Sequence, residues 1–377
     1  MKNVLRLLVF VALFTVFALP AVAQDAAASP AAADPCTADA DAKAALYKKF
    51  TDNYKGTADK QKLAYEAGKE YISKYGNCPG DAAQVAFIQN KFVTPYEKAT
   101  LEFNCVKAAN ETPAQAFEAC RSWIAANPDN LRPHLALVGA GIKANDKSLY
   151  PRAAAEARTA LQLIESGKTA EAWAPFANQQ DAAAGLRYYI AAWTFEANPE
   201  EAAAQLIKVA QSNSVFAKEP ATFQLLGAVI YNGELKKMAD QYKGQCEGKD
   251  ASRECDVLLN KINYALDRVI DSYARAIALA NANPSKHGAT VTTLRPVLTT
   301  LYKQRHEGQE SGLNELLANV LSKPLPLPGQ EPPLPAASPS TTGANGSATP
   351  ATTTATPAST TTPPARPPAQ TQRPPRN

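Results

Sequence analysis

Residues 256–280 read DVLLNKINYALDRVIDSYARAIALA. Leu258, Ile262, Ala265, Leu266, Val269, Ile270, Tyr273 and Ile277 recur at three- and four-residue steps, which places them on one face of a helix. Lys261, Arg268, Asp271 and Arg275 fall elsewhere, so the spacing predicts a long amphipathic helix with one packed face and one wet face. Just before it, Cys246 and Cys255 lie evenly about Asp250-Ala251. Cys105 and Cys120 lie in the same way about Glu111-Thr112, and Cys36 and Cys78 about Gly56-Thr57. Positions equidistant from the turn of two antiparallel helices face each other, as disulfide geometry requires. Six cysteines permit many connectivities, and the turn symmetry selects nearest-neighbour pairs; free structural thiols are the competing reading.

The opening stretch, MKNVLRLLVFVALFTVFALPAVAQ, has a basic start, a short apolar run and a small-residue exit at Ala21-Val22-Ala23. It reads as a secretory signal peptide over 1–23, with the mature chain starting near Gln24 and no transmembrane segment left after cleavage. Export into an oxidising space, periplasmic or extracellular, agrees with disulfide use of the cysteines. The formal net charge is +4, of which two charges leave with Lys2 and Arg6. Another two sit in the tail, where Arg366, Arg373 and Arg376 outnumber Glu331. The body is close to neutral and lacks the clustered Lys and Arg of a nucleic-acid binder.

Residues 24–35 read as a flexible lead. From 36 to 323 the apolar periodicity is helical almost throughout, with no alternating β-branched run, and predicts an all-α domain of about a dozen helices. Thr94-Pro95-Tyr96-Glu97 and Thr112-Pro113-Ala114-Gln115 resemble helix-starting capping boxes. Asn127-Pro128, Asn198-Pro199 and Asn283-Pro284 close one helix and open the next. In LRYYIAAWTFEAN, Leu186, Tyr189, Ile190 and Trp193 form a core stripe that Arg187 and Tyr188 leave. From 324 to 377 the composition turns to Pro, Thr and Ala, with about half of the 29 prolines of the chain. Such a segment is expected to be a disordered tail, about 40 Å across as a coil. Its plainer reading is an inert solubilising tail; the alternative is a tether whose Arg-Pro-Pro endings make a weak contact with an anionic envelope surface.

The segment Phe223-Gln224-Leu225-Leu226-Gly227 with Ile230, and the phrase SYARAIALANANP, resemble the two helices of a tetratricopeptide repeat. SWIAANPDNLRPHLALVGAG carries a similar echo. The resemblance is degenerate, spans Cys36 to Pro284, and implies stacked antiparallel helical hairpins forming a solenoid that holds a protein or peptide partner on its inner face.

No chemistry-bearing constellation emerges. His134, His287 and His306 lack partners at metal-ligand spacing and read as surface residues. Gly139-Ala140-Gly141 with Ala144 matches a dinucleotide fingerprint in form, but lies in a helical pattern and reads as close helix packing. Glu200-Glu201 fits a helix N-terminus rather than a catalytic pair. The expectation is therefore no catalytic, cofactor-binding or metal site, and a noncatalytic protein-interaction or scaffolding role in the bacterial cell envelope. The alternative is association with peptidoglycan or carbohydrate, favoured if Tyr188 and Trp173 share an exposed groove; an enzyme with an unrecognised site ranks below both. Trp123 and Trp173, near helix ends, fit a groove lining or ordinary packing, so no partner-binding residues are named.

Overall fold

The computed structural model describes residues 35–334. The expected signal peptide, the lead as far as residue 34, and the tail beyond 334 lie outside the described residues. Every regular element among the described residues is helical, and the chain divides into two compact units after Glu97.

The first unit holds α1 (Pro35–Ala38), α2 (Ala40–Asn53), α3 (Ala58–Tyr75) and α4 (Ala82–Ile88). The long helices α2 and α3 pair as a hairpin whose turn includes Gly56 and Thr57. Their seam mixes small and aromatic residues: Ala64 and Ala67 of α3 leave room for Phe50 of α2, and Tyr71 and Tyr75 of α3 pack in the same cluster. Cys36 and Cys78 join at the open end, with Cα atoms 5.4 Å apart. Asp81, only 6 % exposed, is held there by Lys43 Nζ at 2.8 Å and by the Tyr71 hydroxyl at 3.0 Å.

The expected break at Thr94 is absent. After α4 the chain passes through a π-turn (Gln89–Val93) directly into α5 (Thr94–Glu111). Pro95 cannot donate a backbone bond, and the wider turn just before it reroutes the ladder so that Thr94 N bonds Gln89 O. The box residues work elsewhere: the Thr94 hydroxyl accepts from Gln89 at 2.8 Å, and Glu97 accepts the Tyr65 hydroxyl at 2.7 Å.

The second unit takes the rest of α5 and adds α6 (Pro113–Ala119), α7 (Arg121–Ala126), α8 (Leu131–Ala144), α9 (Tyr150–Glu165), α10 (Gln179–Thr194) and α11 (Pro199–Ala210). It continues with α12 (Pro220–Ile230), α13 (Lys236–Gln245), α14 (Arg253–Ala282), α15 (Pro284–Arg305) and α16 (Leu313–Asn319). From α8 to α12 each helix packs on the next in sequence, and α14 then packs on α12 and α15. This is compatible with a helical-repeat fold. The Asn-Pro signals hold in part: Asn198 caps α11 by accepting from Glu201 N and α15 begins at Pro284, but α10 already ends at Thr194, and Asn127 ends α7 while α8 starts only at Leu131, capped by Asn130. Thr112 precedes α6, but its hydroxyl makes no cap bond there.

Three apolar clusters fill this unit, and Trp193 packs against all of them. Close approaches rely on missing side chains. A Cβ on Gly141 would stand 2.6 Å from the Ala153 Cβ, and one on Gly227 2.5 Å from the Tyr273 ring. The Gly139-Ala140-Gly141 segment thus serves packing through Gly141 of α8 against α9, as its helical setting suggests. Cys105–Cys120 bridges α5 to the end of α6 inside one cluster, and Cys246–Cys255 closes the loop between α13 and α14. All six cysteines are paired, which points to an oxidising environment.

Candidate functional site on the polar face of the longest helix

The apolar stripe of α14 packs as its spacing predicts and Lys261 is exposed as expected, but the other three polar positions are not wet. Arg268 and Arg275 are 2 % and 6 % exposed. With Tyr264 and Asp271 they form a second stripe at four-, three- and four-residue steps, and this stripe is covered as well. Arg268 donates to Glu234 at 2.6 Å, across to the π-turn (Tyr231–Leu235) that follows α12. The Arg275 Nε donates to Asp271 at 2.6 Å. Burial raises the Asp271 carboxyl above its ordinary range, and the Arg275 bond opposes that rise.

The cover is the beginning of the proline-rich region. Beyond α16 and a short 3-10 turn (Val320–Ser322), residues 323–334 run as a non-helical strap along α14, extended at Lys323 and turning at Pro328-Gly329. Arg275 Nη2 donates to the carbonyls of Lys323 and Pro324 at 2.8 and 3.0 Å. The Tyr264 hydroxyl donates to the Leu327 carbonyl at 2.9 Å, and Asn260 Nδ2 to the Pro332 carbonyl at 2.8 Å. Rising contact numbers on the strap match falling ones on the helix, so this strap runs antiparallel to α14. Leu325, Pro326 and Leu327 are half-buried, and Leu325 joins the largest apolar cluster. Past them the strap bends at Gly329, whose φ of +78° favours glycine, while Gln330 accepts from Leu327 N at 3.2 Å.

A cavity of about 660 Å³ remains beside the strap, lined by Ala210, Phe223, Tyr264, Arg275 and the strap itself. The expected tail therefore has a fixed root: its first eleven residues, 324–334, are placed on the folded body.

The histidines sit differently from expectation. His134 is 4 % exposed rather than at the surface; its Nδ1 lies 2.6 Å from Glu156, and its Nε2 has no hydrogen-bond partner. The apolar spacing of α8 draws it in, because His134 shares a face with Val138 and Gly141. His287 is half-buried 3.7 Å from Glu219, and the His306 ring lies tilted against Tyr302, with centroids 4.1 Å apart. The three are not brought together, and among the described residues no cluster of three or more His, Cys, Asp or Glu is placed to hold a metal. Tyr188 is buried at 6 %, Trp123 is fully buried, and Trp173 packs half-buried against another cluster, so these aromatics form no shared groove. Arg187 spans to Glu165 and Gln205 at 2.5 and 3.0 Å.

Asn260, Tyr264 and Arg275 escaped the sequence reading as a group. The usable signal is the row of polar groups one turn apart on α14, followed about fifty residues later by Pro-Leu-Pro-Leu-Pro, whose leucines need a surface. Among the described residues no helix is long and apolar enough to cross a membrane. Comparison with family models, with curated proteins and with solved structures finds no match for this chain.

Proposed function

We propose that this chain is an exported, noncatalytic binding scaffold of the cell envelope, built as a tetratricopeptide-like solenoid, and that it works by holding extended peptide segments on the α14 face. The observation that carries this reading is the use of Arg275, Tyr264 and Asn260 as donors to main-chain carbonyls of a non-helical strap. Peptide-recognition grooves use main-chain hydrogen bonds of this kind to hold an extended ligand. Packing of each helix on its sequence neighbour from α8 to α12 supports the solenoid, and three disulfides support export. The peptidoglycan or carbohydrate alternative relied on an exposed aromatic pair, and the burial of Tyr188 weighs against it.

The test is cross-linked capture from the native envelope with three baits: the mature chain, the chain lacking 335–377, and a full-length Tyr264→Ala variant. A protein retained by the first two and lost by the third supports the reading. Recovery of wall fragments alone, or loss of every partner with the tail, sinks it.

A further inference from the structure

The strap identifies what the α14 groove accepts. Of the eleven residues 324–334, five are proline, so the segment is poor in backbone donors and rich in acceptors. The groove is complementary to that imbalance. Arg275, Tyr264 and Asn260 all donate, and the carbonyls they meet belong to Lys323, Pro324, Leu327 and Pro332. An ordinary extended strand alternates donors and acceptors and would leave its N–H groups unmatched along such a row, whereas a polyproline-type segment does not. Phe223 and Ala210 supply an apolar wall beside the alternating Pro and Leu of 324–328, and an open pocket of about 660 Å³ runs alongside.

We propose that the α14 groove is a binding site for extended proline-rich peptides of a partner protein, and that strap 323–334 occupies it as a competing internal ligand. This rests on the peptide-binding reading above and names the class of peptide. The strap follows directly from α16, so its local concentration at the groove is on the order of millimolar, and an incoming peptide binds well only when the strap gives way. The groove donors hold the strap by its backbone, so a second segment with the same proline spacing satisfies the same groups without rearranging the helix.

The experiment uses the mature full-length chain and a fluorescent synthetic peptide of sequence KPLPLPGQEPPLP, read by anisotropy. In a Leu325→Asp, Leu327→Asp chain the strap is displaced, and saturable binding at least about tenfold tighter than to the unaltered chain is expected. Adding Tyr264→Phe to that variant removes one donor and should weaken binding about fivefold. A peptide with its prolines replaced by alanine should bind markedly less. A displaced-strap chain with an unchanged circular dichroism spectrum and no saturable binding overturns the proposal. If that variant fails to fold, the decision passes to amide exchange of Leu325 and Leu327 in the unaltered chain: faster exchange under saturating peptide supports displacement, and unchanged exchange refutes it. Sedimentation separates the occupants, because a dimer of the unaltered chain that the strap substitutions abolish would make the ligand a second copy and overturn the partner assignment. Failed peptide binding with envelope capture still dependent on Tyr264 would retire the proline-rich class and leave the broader scaffold reading standing.

Discussion

At the scale of single residues, small differences in position separate one glycine from another. A Cβ on Gly141 or Gly227 has no room, while one on Gly139 would make ordinary contacts with Pro175 at 3.7 Å. Gly141→Ala and Gly227→Ala are therefore expected to lower unfolding free energy by about 1–3 kcal/mol in urea melts. Gly139→Ala should be neutral or stabilising by up to about 1 kcal/mol, since alanine is the better helix former. Asp81 supplies a second residue-scale prediction. The Lys43 bond, helped by the Tyr71 hydroxyl, holds its carboxyl below the usual range, while burial followed by the Asp81 bond pushes the Tyr71 hydroxyl up to about 12. A depressed carboxyl stabilises the fold above its unfolded value of about 3.9, and that contribution is lost as pH falls through the folded value. Melts of the first unit should weaken below about pH 4, and Asp81→Asn should flatten that acid limb while costing about 2 kcal/mol near neutrality.

At the scale of elements, the π-turn Tyr231–Leu235 and the middle of α14 depend on one ion pair. Arg268 is almost fully enclosed, so Glu234→Ala leaves a buried guanidinium without its carboxylate and should cost about 3 kcal/mol. Replacing both partners by Leu and Ala should cost less than that single change, which a double-mutant cycle would read directly. These elements also show what a sequence discloses. The apolar stripe of α14 was legible from spacing alone because burial of one face is a local, periodic demand. Its second stripe was not, because Arg268, Asp271 and Arg275 look like solvated residues until Glu234 and a strap about fifty residues later are folded over them. The starts of α6 and α11 were legible from Thr-Pro and Asn-Pro. The one at Thr94 failed because a π-turn absorbs Pro95 without ending the helix.

At the scale of the whole molecule, covalent closure carries much of the stability. The three bridges close loops of 42, 15 and 9 residues. The loop-entropy relation assigns them about 4, 3 and 2.5 kcal/mol, large beside a typical domain stability of about 5–15 kcal/mol. Reductant should lower the melting temperature clearly, and an unchanged melt would contradict this assignment. The cysteine pairing was legible because helical hairpins impose symmetry about their turns. The candidate site was not, since its ligand is a tail segment whose composition advertises only disorder.

The placement of the tryptophans has an optical consequence. The chain has three, Trp123, Trp173 and Trp193, and all lie beyond Glu97. The first unit is instead crowded with tyrosine rings, such as Tyr65 stacked on Tyr96 at 4.7 Å. Indole emission thus reports the second unit alone, and Trp193, seated against all three of its clusters, averages over them. Eight of the fourteen tyrosines also lie beyond Glu97, so tyrosine emission reports both units while tryptophan emission reports one, and comparing the two through a denaturant titration would reveal whether the units unfold together, without a label or a cut in the chain.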